Sequence, residues 1–407
     1  MPKPVVIVGA LDTKGEEFRF ARDLIRSRGL ETILVDFGVL GDPQGAVQPD
    51  VPADEVARAG GSSLAELRAS QDKTVAMETM AAGLAKVVKD LYDAGRLGGI
   101  LSMAGSGGTS IATRAMRGLP IGVPKVMAST VAGGDVSAYV GTTDITMMPT
   151  VVDVAGINSI SRRIYANAAG AIAGMVLLAE ALPEAAAARP LIAASMFGNT
   201  TQCVGRAQRA LEARGYEVLV FHATGNGGRT MEALIASGFI TASLDLTTTE
   251  LADYVCGGVM SAGPERMLAA ARAGIPTVLA PGCVDMCNFW GIETVPAQYQ
   301  GRNLYQWNPN VTLMRTSAGE NVRIGRMIAA AANAATGPVA ILLPLKGVSQ
   351  LDSPGGIYWD PEADAACYNT ITANLKPGIP VIEMDNNIND PEFADKAAEL
   401  LLGMLKK

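Results

Sequence analysis

Residues 98–110 read GGILSMAGSGGTS. An apolar run, Gly98–Ala104, leads into a glycine-rich turn, and the amphipathic stretch SIATRAM follows from Ser110. That order of strand, glycine loop and helix is the one in which backbone amides and a helix N-terminus converge on a phosphate. Ser106, Thr109 and Ser110 add hydroxyl donors. No lysine follows the glycines and the spacing is not G-x-G-x-x-G, so neither a Walker loop nor a dinucleotide fingerprint is present. A phosphate cradle and a plain glycine-rich turn both stay open on this segment alone.

The same grammar extends in both directions. VVIVGA (5–10), ETILVD (31–36) and KVMAST (125–130) read as buried strands, and Glu16–Arg28, Lys73–Ala94 and Ser110–Arg117 read as helices. Strands alternating with helices predict an α/β fold, a mostly parallel sheet with helices on both faces. The chain has 407 residues, enough for two domains at roughly 100–200 residues each. The alanine-rich ALPEAAAARP (181–190) is the natural joint, giving domains 1–185 and 186–407.

The second half restarts the pattern of the first. LIRSRGLETILVDFG (24–38) aligns with ALEARGYEVLVFHATG (210–225), which sets Asp36 against His222. GGILSMAG (98–105) echoes GGVMSAG (257–263), and GVPKVMAS (122–129) echoes GIPTVLAP (274–281). Two duplicated Rossmann-like subdomains are therefore expected, with ligands beyond the carboxyl ends of the strands.

Composition removes several functions. Lys plus Arg number 33 against 40 Asp plus Glu, a net charge of −7 without a basic run, so neither nucleic acid nor an anionic membrane is an expected partner. The single histidine, His222, excludes His-rich metal sites. Five scattered cysteines suit a reducing cytoplasm rather than a disulfide scaffold. The apolar run 168–179 is too short to span a bilayer and reads as a buried packing helix.

The remaining loops carry the candidate chemistry. In ALDTKGEE (10–17), Lys14 can meet a phosphate and Asp12 can hold Mg²⁺, or Asp12 and Thr13 cap a helix beside a solvated lysine. Asp36 stands where a Rossmann acid would bind a ribose. Gly133 and Gly134 permit close approach in STVAGGDVSAYVG (129–141), with Asp135 and Asp144 as possible polar ligands. HATGNGGRTME (222–232) offers His222, Thr224, Gly225, Gly227, Gly228 and Arg229, the last suited to a carboxylate or phosphate. In DLTTTEL (245–251), a helix cap is favoured over a polar site for the threonines and Glu250. In PGCVDMCNFWG (281–291), Asp285 is a better candidate than a nucleophilic or metal-binding Cys283 or Cys287.

Together these loops, with DVAGIN (153–158), GGVMSAGPER, NPNVTLMRT (308–316), LPLKGVSQLD and NDPEFA (389–394), resemble over essentially the whole chain the ATP-binding domain family of the tomato mosaic virus resistance protein. The resemblance implies two Rossmann-like subdomains, a homodimer, and ATP with Mg²⁺ on the first half. Carried over by loop, the nucleotide site falls on Asp12, Thr13, Lys14, Gly105, Ser106, Gly107, Gly108 and Thr109, with Gly133 and Gly134. Some members continue into a barrel domain, so a separate barrel enzyme is an expected partner. In the family a histidine usually precedes NPxVTLMRT, where this chain has Trp307, and one is common in the EMDNNINDP stretch, where it has asparagine.

The expectation is ATP-dependent activation or phosphoryl transfer on a small anionic substrate between the halves. Arg229, Arg315 or Lys346 would hold the anion, Lys14 would stabilise the phosphate, and Asp285 or Glu250 would orient the acceptor. The alternative is a nucleotide-dependent binding module without catalysis of its own. A nicotinamide dehydrogenase is disfavoured by the missing glycine fingerprint.

Overall fold

In the computed structural model, residues 2–182 and 189–406 are described. The chain forms two compact units, Met1–Ala185 and Ala186–Lys407. The joint expected at 185/186 lies outside the described residues.

The first unit runs β1 (Val5–Gly9), α1 (Leu11–Arg26), β2 (Thr32–Asp36), α2 (Ala53–Ala59), α3 (Leu64–Ser70), α4 (Lys73–Asp93), β3 (Gly99–Ala104), α5 (Ser106–Arg117), β4 (Lys125–Ser129), α6 (Ser137–Val140), β5 (Thr146–Pro149) and α7 (Ser161–Ala181). Its five strands pair in parallel in the order β2-β1-β3-β4-β5. The run VVIVG is apolar at every position because both faces are covered. Val6 and Val8 join Val56, Met80, Leu84 and Ile111 on one side. Val5 and Ile7 join Phe18, Ile25, Tyr165 and Ile172 on the other.

Two helices begin earlier than their apolar periodicity suggests. The helix expected from Glu16 starts at Leu11, with non-helical backbone at Lys14 (φ −137°). That expected from Ser110 starts at Ser106, so the glycines form its first turn. The apolar run 168–179 is also only part of a longer helix. At 21 residues, α7 is long and apolar enough to cross a membrane by length and composition. Its Tyr165, Ala168, Ala169, Ile172, Ala173 and Val176 pack into the unit's core, as the packing-helix reading expects.

The second unit runs β6 (Leu191–Met196), α8 (Thr201–Glu212), β7 (Glu217–His222), α9 (Asn226–Ala236), β8 (Ile240–Thr247), α10 (Thr249–Cys256), α11 (Leu268–Ala273), β9 (Thr277–Gly282), β10 (Met286–Phe289), β11 (Leu304–Asn308), β12 (Val311–Arg315), α12 (Ala318–Ala334), β13 (Val339–Pro344), α13 (Pro361–Asn374), β14 (Val381–Met384) and α14 (Pro391–Leu405). Its parallel sheet has the order β14-β13-β9-β8-β6-β7, and β10-β12-β11 form a small antiparallel sheet. Helices α8 and α14 cover one face of the parallel sheet, and α10, α12 and α13 the other.

Counted within its unit, each parallel sheet begins with its second strand beside its first, then its third and fourth. The repeat of 24–38 in 210–225 falls on the two second strands, β2 and β7, and that of 122–129 in 274–281 on the two fourth strands, β4 and β9. The middle echo does not hold. GGILSMAG is strand β3, but GGVMSAG follows α10 as a loop beginning at its left-handed C-cap, Gly257. The third strand of the second unit is β8, a different segment.

Candidate functional site

In the first sheet the strand order reverses between β1 and β3, and crevices open beyond the carboxyl ends of strands at such a switch point. A pocket of about 680 Å³ lies there. One side holds Gly107 and Gly108, on the first turn of α5, and Asp12 and Thr13. First-turn amides of an α-helix have no intrahelical acceptors, and here no side chain caps them. The opposite wall is apolar, with Phe37, Leu67, Met77 and Met80.

Asp12 is buried, and its Oδ2 accepts from the Leu40 amide at 2.6 Å. Its Oδ1 is sealed from solvent and has no hydrogen-bond partner. A buried carboxylate oxygen without a donor is costly unless a cation or donor meets it. Lys14 is half-buried and lies off the pocket wall; Arg68 and Lys73 carry its cationic side chains. Arg68 is braced by the carbonyls of Val39 and Gly41, at 2.8 and 2.7 Å. Neither is visible as a site residue in the sequence, because α3 and α4 reach the pocket only through tertiary packing.

Other nucleotide-site candidates of this unit hold the fold. Asp36 Oδ1 accepts from the amides of Leu11 and Gly38, tying the first βα loop to the end of β2. Burial raises its pKa, against the effect of those two donors. The Thr109 hydroxyl is buried, bonded to the Gly105 carbonyl and to Ser129. Gly105 occupies the N-cap position of α5 without a side chain to cap it, Ser106 is exposed, and Gly133 and Gly134 lie in the exposed turn after β4; all four stand off the pocket wall. Asp135 caps Ser137. Asp144 pairs with buried Lys125 at 2.6 Å, at the amino end of β4 and away from the ligand edge.

In the second unit the glycine loop 222–229 is already occupied by the protein itself. Glu250 is fully buried, and its Oε1 accepts from the amides of Gly225 (2.6 Å) and Gly228 (3.0 Å). The anion that this loop and the start of α9 receive is an internal carboxylate. Gly225 has φ +83°, and a side chain at Gly228 would run into Glu250. Arg266 holds Glu250, Asp245 and Glu232 together in a buried network. Arg229 is exposed and donates to the Ser261 carbonyl at 3.0 Å. The cap expected in DLTTTEL is not formed by a threonine side chain: Thr248 donates to the Ala280 carbonyl and Thr249 to that of Met286.

Asp285 and Arg315 are likewise interior. Asp285 is 0% exposed, accepts from Ser349 Oγ at 2.8 Å, and has an unpartnered Oδ1. Burial, with Asp352 nearby, pushes its pKa up to about 7. Arg315 pairs with Asp364 at 2.7 Å, while Lys346 is exposed and pairs with Asp385. Cys283 and Cys287 are buried free thiols with raised pKa, the opposite of an activated nucleophile. Among the described residues no group of three or more His, Cys, Asp or Glu is placed to hold a metal.

Two smaller pockets of the second unit share Gly198 and Asn199. One, of about 250 Å³, is walled by hydroxyls and carboxamides, among them Gln202, Gln350 and Asn389. The other, of about 190 Å³, brings His222 and Thr224 together with Phe197 and Trp307. Trp307 and the asparagine stretch 386–389, the two departures from the family pattern, both border this pair.

Fold and pocket define a protein of two Rossmann-like α/β units, the first with an open pocket at its switch point. The chain belongs to the uncharacterised protein family UPF0261: the model of the family's N-terminal domain matches residues 3–181 and that of its C-terminal domain residues 189–405. It is 50% identical over 408 residues to a UPF0261 protein of Clostridium tetani, with all of both chains covered. It is 44% identical to one of Rhizobium meliloti, covering 97% of each. Against the tomato ToMV resistance protein Tm-1(GCR237) it is 38% identical, covering 99% of this chain and 56% of the tomato protein.

Proposed function

We propose that the first unit binds ATP with Mg²⁺ in the switch-point pocket, and that nucleotide occupancy regulates the protein. The observation that carries this reading is the meeting, on one pocket wall, of the α5 N-terminus, which no side chain caps, with Asp12, a buried carboxylate one of whose oxygens has no partner. Amides at Gly107 and Gly108 suit phosphate oxygens, Arg68 and Lys73 supply neutralising charge, and Phe37, Met77 and Met80 offer an apolar face for a base. Asp12 is the residue that would hold Mg²⁺, which would screen phosphate charge there.

Regulation is preferred to transfer onto an anion for a specific reason. Asp285 and Arg315 are committed to buried internal pairs, and Glu250 fills the loop that would have received the substrate. The five buried free thiols support a cytoplasmic setting.

The test is isothermal titration of Mg·ATP into the wild type and Gly107→Asp, with ADP release followed in parallel. A Cβ at Gly107 meets only Met77 Cε, at 3.6 Å, so the variant places a carboxylate in the cradle without breaking the fold. Binding by the wild type alone, without ADP release, supports the reading. Equal binding by both proteins removes the phosphates from this loop. ADP release that the variant loses would restore the transferase reading.

A further inference from the structure

We propose that the second unit binds a small, uncharged, hydroxyl-bearing molecule, of the sugar or polyol class, in the paired pockets on either side of Gly198–Asn199. The inference rests on this unit alone and is independent of the nucleotide reading.

The two cavities share Gly198 and Asn199 in their walls, on the turn that leaves β6 at the carboxyl edge of the sheet, where such folds take ligands. Their walls differ in chemistry. The first presents the Thr201 and Ser353 hydroxyls and the carboxamides of Gln202 and Gln350. Its one ionisable wall residue is Asp390, whose Oδ2 already accepts from the Asn387 amide and from Asn386. Among the described residues, no Lys or Arg lines either pocket. A net anion would find an acidic residue and no cation, whereas a hydroxyl both donates and accepts and suits carboxamides.

The second cavity supplies an apolar, aromatic face. Phe197 and His222 stand 5.3 Å apart between ring centroids, and Trp307 and Leu313 complete the wall. Rings of this kind pack against the C–H surface of a small ring or chain while its hydroxyls reach the polar lobe.

Asn199 lines both cavities and is built into the interior. It is 2% exposed, and its carbonyl accepts from the Gln350 amide at 3.1 Å and from Asn389 Nδ2 at 2.9 Å. Its side-chain Oδ1 has no partner. The side chain is turned inward, with Nδ2 donating to Met286 Sδ at 3.5 Å, so the turn between the two cavities is anchored in the core. Asn387 Nδ2 bridges the carbonyls of Lys346, Ser349 and Asp352 at 3.0 Å each, which fixes the loop carrying Gln350.

The experiment is saturation-transfer NMR on the full chain with D-glucose, D-mannitol and glycerol as neutral probes and D-gluconate as the charged comparison. Wild type, Trp307→Ala and Gln350→Ala are compared, each checked for folding by circular dichroism. Trp307 is 47% exposed and Gln350 is exposed, so neither variant removes core packing. The expected result is transfer to at least one neutral probe, reduced at least fivefold in both variants, with gluconate weaker. No transfer to any neutral probe overturns the proposal. So does stronger transfer to gluconate, or transfer unchanged in both variants.

Discussion

Arg266 Nε lies 2.6 Å from Glu250 Oε2, and both side chains are fully shielded from solvent. The same guanidinium reaches Asp245 through Nη1 at 2.6 Å and Nη2 at 2.8 Å. Arg266 therefore positions the carboxylate that holds the amides of Gly225 and Gly228 in the 222–229 loop.

Replacing Arg266 with Met strands three carboxylates, Glu232, Asp245 and Glu250, in or near the interior. Breaking a buried pair from one side costs about 3–5 kcal/mol. Urea unfolding of Arg266→Met, followed on the second unit's transition, is expected to show a loss of that size. A loss under about 1 kcal/mol would contradict the buried network.

The two pocket glycines are expected to behave differently. At Gly107 a methyl group makes ordinary contact with Met77 Cε, so Gly107→Ala is expected to stay within about 1 kcal/mol of wild type. At Gly108 a Cβ falls 2.7 Å from Ala104 Cβ, where α5 crosses its own strand. Gly108→Ala is expected to destabilise by about 1–3 kcal/mol through overpacking. Thermal unfolding of the two variants separates them, and equal midpoints would refute the close approach.

Asp253 gives the second unit a pH dependence of defined sign. Burial pushes its pKa up to about 7, against donors from Asn288 and the Met260 amide. Between the ordinary value of 3.8 and about 7, the folded unit holds a proton here that the unfolded chain has released. Stability therefore falls as pH rises through that window, by up to about 1.4 kcal/mol per pH unit for one group. Asp253→Asn is expected to remove one proton's share of the slope in denaturation curves from pH 4.5 to 7. Rotation of the Asn288 amide, whose Oδ1 has no partner, accommodates the new side chain. An unchanged slope would place the titration elsewhere.

All five cysteines are buried, and burial raises Cys203 to about 12. The native protein is expected to resist Ellman's reagent at neutral pH and to yield five thiols once denatured. Rapid modification of one thiol in the native state would reopen a reactive role for it.

Much of the frame was legible in the chain itself. VVIVG is apolar at every position and GILSMA at all but Ser102, as a sheet covered on both faces requires, and the glycines at 105–108 mark a helix start. The recurrence of 24–38 at 210–225 and of 122–129 at 274–281 falls on the second and fourth strands of the two units, because backbone grammar repeats locally.

What each loop holds was decided in three dimensions. HATGNGG and GSGGTS look alike as strings, yet Glu250, 22 residues beyond Gly228, fills the first, while the second opens on a pocket. Asp285 and Arg315 read as free polar groups until Ser349 and Asp364, 64 and 49 residues away, claim them. Asp144 read as a ligand until Lys125 placed it at the wrong end of the sheet. His222 and Trp307 line one cavity only because tertiary packing brings the β11–β12 hairpin near the end of β7. Sequence patterns report neighbours within a turn or a strand. The partner of a buried charge is chosen by packing between distant segments, and that choice separates a structural carboxylate from one left for a ligand.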